Sequence, residues 1–252
     1  MHRTKRHALI ESNANRLGFA SIDTLADLCG VSAQTVRRDI KDLSDAGRIV
    51  RLHGGAGSIP LNGCPAIEER RGKNLEAKHA IGKLAATVIP DHARLFIGAG
   101  STMEIVSEHL SAKQGLTVLT VNIQVALIMH NYPGIHLILP HGNLRPDLYS
   151  LAGSDVVDSI TRYSMDFALV TTGGIHENGD FYDLSDTLAP IVVAMQEHAR
   201  ETILIADSSK FAPKGCRKTG NLATVQTLIT DRAPDAPMIE LLERSGTTLL
   251  CG

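Results

Sequence analysis

Loops rich in glycine and hydroxyl groups recur through the latter part of the 252-residue chain. They are Gly98-Ala99-Gly100-Ser101-Thr102, Asn122, Pro140-His141-Gly142-Asn143, Thr172-Gly173-Gly174 and Asp207-Ser208-Ser209-Lys210. Glycine lets backbone N–H groups close on an anion, and a Ser or Thr at a helix start adds a donor. One such loop is ordinary turn chemistry, whereas several at successive strand ends favour a small polar ligand. Gly98-x-Gly100 lacks the third glycine of a dinucleotide fingerprint, and no Lys follows it as in a Walker A loop, so neither NAD nor ATP is expected. Cys29, Cys64, Cys216 and Cys251 form no C-x-x-C pair, and none of the 11 histidines is paired at i, i+4 on an expected helix. No metal, disulfide framework or cofactor is therefore expected. Sugar isomerisation needs a positioned base and acid. The available carboxylates, Asp183, Asp186 and Asp207, form no convincing constellation, and Ser101 has no evident base to activate it.

The second reactive set is Ser32 to Arg48, SAQTVRRDIKDLSDAGR. Ser32 reads as an N-cap and Gly47 as a C′ residue. Val36, Ile40 and Leu43 recur at i, i+4 and i+7 as one apolar stripe. Gln34, Thr35, Arg37, Arg38 and Lys41 lie off that stripe, and a short helix with such a polar, basic half suits a DNA major groove. Asp39, Asp42 and Asp45 read as its solvated far side. Taken alone, the segment is also compatible with an ordinary charged surface helix.

The flanks favour the DNA reading. Thr4 to Leu17 patterns as a helix stopped by Gly18, with Ala8, Leu9 and Ile10 apolar. Ser21 caps a second helix, with Ile22, Leu25, Ala26 and Leu28 apolar. Cys29-Gly30-Val31 makes the turn of a helix-turn-helix. Arg48 to Ala56 then reads as a short strand and glycine turn, a wing, with Arg51 and His53 beside the DNA backbone. Ser32, Gln34, Thr35, Arg37, Arg38, Lys41, Arg51 and His53 are the DNA-contact candidates. One of Arg37 and Arg38 is expected to read a base edge while the other reaches phosphate. Residues 1–58 hold nine Lys/Arg against six Asp/Glu (+3), and the remainder 16 against 21 (−5), within a net charge of −2. A basic head on an acidic body fits this division.

From residue 75 the pattern alternates short strands with helices, which gives a mostly parallel sheet with helices on both faces. The expected organisation is α/β: a winged helix-turn-helix over 1–57, a linker over 58–74 including the Gly/Pro-rich GSIPLNGCP, and a C-terminal α/β domain over 75–252. The N-terminus has no apolar h-region, and no apolar run approaches a membrane span. Scattered thiols suit a reducing, cytoplasmic setting.

Residues 6–56 resemble the N-terminal domain of the DeoR family of bacterial transcription regulators. The matching residues are Val31-Ser32-Ala33-Gln34-Thr35-Val36-Arg37-Arg38-Asp39-Ile40, Leu43 and His53-Gly54-Gly55-Ala56. The remainder resembles that family's effector domain, itself similar in fold to ribose-5-phosphate isomerase. The matches are Gly100-Ser101-Thr102, Thr120 with Asn122, Gly142, Asp166 through Gly174, and Asp207 through Phe211. The resemblance implies a repressor of a sugar or polyol operon, acting as a homodimer or homotetramer on double-stranded operator DNA. A sugar-derived effector, phosphorylated or free, would release it. By that resemblance the effector site comprises Gly100, Ser101, Thr102, Asn122, His141, Gly142, Gly173, Gly174, Asp207 and Lys210. The chain has Val192-Val193 where a Lys or Arg pair is common, which leaves a phosphate to Lys210, His141 or Arg145. A sugar-phosphate isomerase and a protein-binding scaffold are the alternatives.

Overall fold

A computed structural model describes residues 2–17, 19–52, 54–57 and 67–252. Gly18, His53 and the Gly/Pro-rich part of the expected linker lie outside these. The chain divides into two compact units, residues 1–73 with 146–148, and residues 74–145 with 149–252.

The first unit holds helices α1 (Arg3–Leu17), α2 (Ile22–Cys29) and α3 (Ala33–Asp45), strands β1 (Phe19–Ser21), β2 (Val50–Leu52) and β3 (Gly55–Gly57), and helix α4 (Ile67–Arg71). Strand β3 lies between β1 and β2, antiparallel to both. This is a winged helix-turn-helix. Ser21 caps α2 by accepting from the Thr24 amide at 3.1 Å. Gly30 ends α2 in the left-handed conformation, φ 63°, which glycine adopts without steric cost. Ile10, Ala14, Leu25, Cys29, Val36, Ile40, Leu43 and Ile49 share one small core. Leu28, expected on the apolar face of α2, is 46% exposed, and Ala8 is exposed too. Cys29, one residue on, is buried in place of Leu28.

The second unit is built on seven parallel strands. They are β4 (Arg94–Ile97), β5 (Thr117–Thr120), β6 (His136–Ile138), β9 (Met165–Thr171), β12 (Ala199–Ile205), β14 (Thr227–Thr230) and β15 (Thr248–Cys251). Their order is β15-β14-β12-β9-β4-β5-β6. Helices α5 (Leu75–Val88), α6 (Ser101–His109), α7 (Ile123–Met129), α8 (Ser154–Ile160), α9 (Ala189–Glu197) and α10 (Ala236–Ser245) connect or flank them. The central strands are buried on both faces, so they read as apolar runs such as Phe-Ala-Leu-Val in β9. Growth runs from β4 through β5 to β6, then returns to the other side of β4 with β9. The order therefore reverses between β4 and β9, and the C-terminal ends of those strands flank a crevice. Two antiparallel additions lack a sequence signal: the hairpin β7 (Asn143–Arg145)–β8 (Ser150–Ala152), and a small sheet of β10 (Gly174–Ile175), β11 (Asp180–Asp183) and β13 (Arg217–Asn221).

At the opposite, N-terminal end of the sheet, Arg94 Nη2 donates to Asp166 Oδ1 at 2.8 Å and the Arg94 amide to Oδ2 at 2.9 Å. The Arg94 side chain, with its amide and charge, outweighs burial and holds the Asp166 carboxyl down at about 2. A carboxyl lowered on folding stabilises above its unfolded pKa of about 4 and stops doing so as pH falls through its folded value. Asp166→Asn is expected to lower the melting temperature at pH 7, and the difference from wild type should close between about pH 4 and pH 2. A pH-independent difference in a melting series would show that the carboxylate charge is not what matters.

Candidate functional sites

Helix α3 begins as the sequence suggests. The Ser32 hydroxyl accepts from the Thr35 amide at 3.3 Å and lies 3.0 Å from the Thr35 hydroxyl. Val36, Ile40 and Leu43 are buried. At about 100° per residue, Gln34, Arg37, Arg38 and Lys41 fall within about 100° of arc on the opposite face. All four are exposed. No side chain among the described residues pairs with Arg37, Arg38, Lys41 or Arg51. Arg51 is exposed on β2. His53 lies outside the described residues. The outer face of α3 thus offers three cations and an amide to a ligand, on a helix whose inner face is locked.

Of the acidic residues of α3, Asp42 and Asp45 are exposed as expected, and Asp39 needs a correction. Asp39 is not solvated: it is 3% exposed. Arg6 Nη2 donates to its Oδ1 at 3.0 Å, Arg6 Nε bonds its Oδ2, and His7 Nε2 lies 2.9 Å from Oδ1. Burial acts to raise this carboxyl, but the hydrogen bonds and charges of Arg6 and His7 overcome that and hold it below its ordinary value. Asp42 is exposed and accepts from Arg3 Nη2 at 2.6 Å.

In the second unit, the loop leaving β4 is held from both sides. Thr120 Oγ1 donates to the Ile97 carbonyl at 2.9 Å, and Asn122 Nδ2 to the Gly100 carbonyl at 3.3 Å. From β9, Thr171 Oγ1 donates to the Ala99 carbonyl at 3.0 Å. Gly100 has φ 117°, which a side chain resists, and α6 starts there without a side-chain cap. The amides of Ser101 and Thr102 are left without a described partner. Lys78, on α5 and 3% exposed, donates from Nζ to Ser101 Oγ at 3.1 Å. Unpaired amides at the start of a nine-residue helix, with an ammonium one hydrogen bond away, are suited to an anion.

Other expected residues take different parts. Asn122 is fully buried, and its Oδ1 caps α7 by accepting from the amides of Gln124 and Val125. It holds the loop in shape. The Gly173 amide donates to the Tyr182 carbonyl at 2.8 Å, and the Gly174 amide to Thr172 Oγ1 at 3.2 Å, so both are already used. Their lack of a side chain has a packing cause: a Cβ on Gly174 would lie 2.4 Å from the Ala212 carbonyl. Asp207 is buried, and its Oδ1 accepts from Asn74 Nδ2 at 3.0 Å and from the Ser209 hydroxyl at 2.5 Å. Lys210 closes the short turn Ser208–Lys210 that follows. His141 and Gly142 are exposed beyond β6. The ends of β6 and β12 are four strand spacings apart, about 19 Å.

A family model described as the DeoR-like helix-turn-helix domain matches residues 6–60, and one described as the DeoR C terminal sensor domain matches residues 73–232. The chain belongs to the DeoR family. It is 35% identical over 228 residues to the HTH-type transcriptional repressor CsqR of Escherichia coli (strain K12), covering 90% of this chain and 87% of that one. It is 28% identical over 242 residues, 96% of each chain, to the Glycerol-3-phosphate regulon repressor of the same organism. The ribose 5-phosphate isomerase a of Methanocaldococcus jannaschii covers 56% of each chain at a TM-score of 0.41 and 15% identity, a likeness that says nothing of activity. A DeoR-type reading head and a sensor domain in one chain make a DNA-binding transcriptional regulator. Among the described residues no helix is long and apolar enough to cross a membrane.

Two residues of this DeoR sensor domain escape sequence reading. Lys78 reads as a surface lysine, yet it shares the inward stripe with Ile81, Gly82 and Ala85 at i, i+3, i+4 and i+7. A charge on an apolar stripe was the available signal. Asn74 falls within the expected linker, and only the fold brings it to Asp207. Inorganic phosphate or a phosphorylated sugar is expected to raise the melting temperature of the wild-type chain, because binding to the folded state alone stabilises it. Lys78→Met should abolish that shift while operator binding persists. An undiminished shift would remove Lys78 from the site.

Proposed function

We propose that this DeoR-family regulator represses a sugar or polyol operon and is released from its operator by a sugar-derived effector carrying an anionic group. The observation that carries this reading is the uncapped start of α6 beside buried Lys78, at the point where the sheet order reverses. A phosphoryl group would take the Ser101 and Thr102 amides and the Lys78 ammonium. Asp207, oriented by Asn74, would face the sugar hydroxyls. The names of the relatives, a glycerol-3-phosphate regulon repressor among them, support the same class of control.

The mechanism is a population shift. The effector binds the DNA-incompetent state of the chain more tightly, and the ratio of its affinities for the two states sets the degree of release. Operators read by such heads carry paired half-sites, so the chain works as a homodimer or homotetramer, in the cytoplasm where its DNA is. The carboxylates weighed for isomerase chemistry have structural duties. Asp183 accepts from the Ser185 amide at 2.7 Å, Asp186 pairs with Arg217 at 3.3 Å, and Asp207 holds Asn74 and Ser209. That favours a binding site over a catalytic one, and the chain is not an enzyme in this reading.

Replacing both Arg37 and Arg38 by Ala is expected to abolish specific retention of the operator in a gel shift. In the wild type, log affinity should fall steeply and linearly with log salt, as counterion release from several phosphates requires. Unchanged operator affinity in the double variant, or a flat salt response, would overturn the assignment.

A further inference from the structure

Apolar packing of Val36, Ile40 and Leu43 holds α3 close to its neighbours, but that attraction is non-directional. Directional bonds come from its flank. Arg6 and His7 of α1 grip Asp39, and one helical turn away Arg3 grips Asp42. Positions 3 and 6–7 of α1 thus meet positions 42 and 39 of α3, two rungs in opposite order along the two helices. Two rungs resist both rotation and sliding, whereas a single rung would act as a pivot. On a helix about 5–6 Å in radius, a turn of about 20° moves a side-chain end by about 2 Å. That breaks a bidentate base contact but leaves a cation within reach of a phosphate.

We infer that Asp39, held by Arg6 and His7 and seconded by the Arg3–Asp42 pair, is the positioning residue that sets the rotation of α3 and so the base selectivity of the head. This rests on the DNA-reading assignment. Asp39 faces α1 and touches no base. Its effect passes through Gln34, Arg37, Arg38 and Lys41, whose outward direction it fixes. Selectivity therefore depends on the rungs, and non-specific affinity does not.

The test uses the full-length chain, the duplex that the wild type selects from a random-sequence library, and a scrambled duplex of the same composition. Affinities for both are measured over a salt series. Asp39→Asn is expected to lower the selected-to-scrambled ratio by about tenfold or more, the scale of one lost bidentate base contact. Affinity for the scrambled duplex and its salt slope should hold, because every phosphate-facing cation is intact. Asp42→Asn removes only the exposed rung and endangers the fold little, and it should lower the ratio less, in the same direction. Exchanging the charges, Arg6→Asp with Asp39→Arg, should restore part of the ratio. An unchanged ratio in both Asn variants would overturn the inference, as would equal losses on both duplexes alongside a lower melting temperature. A wild-type chain that selects no duplex would overturn the DNA reading itself, and this inference with it.

Discussion

The seven parallel strands leave all their C-terminal ends on one side, and the direction of sheet growth reverses between β4 and β9. The sensor chemistry depends on that reversal. Loops from neighbouring strands normally run to the same face, but here they part, and α6 starts in the gap with Ser101 and Thr102 buried there. Thr120 at the end of β5, Asn122 at the start of α7 and Thr171 at the end of β9 fasten the intervening loop. Thr120 and Asn122 are fully buried and Thr171 is half-buried, and each finds a backbone carbonyl. What remains open are the two amides at Ser101 and Thr102, with Lys78 behind them. In the proposed reading, the preference for an anion there follows from backbone geometry more than from the side chains that line the loop.

The reading head solves a similar problem with different means. A recognition helix needs one face bound firmly enough that the other can be read in register. Helix α3 has an apolar inner face, a capped start at Ser32 and a charged flank tied to α1. The first supplies free energy, the second defines where the helix begins, and the third fixes its turn. In both units, then, groups that never meet the ligand define where the ligand-meeting groups lie.

Much of this was legible in the sequence. The stripe Val36, Ile40, Leu43 and the serine before it announced α3, and the seven parallel strands followed from short apolar runs separated by helical patterns. The illegible parts have physical causes. Asp39 sits between Arg38 and Ile40 at the border of the buried arc, where pattern alone does not separate a solvated carboxylate from a gripped one. Its partners stand 32 and 33 residues earlier. Periodicity places Lys78 on the buried stripe of α5, and its charge alone argues for solvent. Strand β13, RKTGN, has no apolar alternation because its pairing is with β11 in a small outer sheet. Gly173 and Gly174 looked like anion-cradling residues, yet close backbone packing accounts for Gly174 and the amides of both are engaged.

Binding at the crevice and binding to DNA are linked in this account, and linkage is reciprocal: whatever factor the effector costs the operator, the operator must cost the effector. The direct measurement is calorimetric titration of one phosphorylated sugar, chosen by its ability to release the chain from its operator, into the chain with and without saturating operator duplex. The account predicts that operator weakens effector binding by the same factor, about 5- to 150-fold for couplings of ordinary size, by which effector weakens operator binding. Equal effector affinity with and without operator would contradict it.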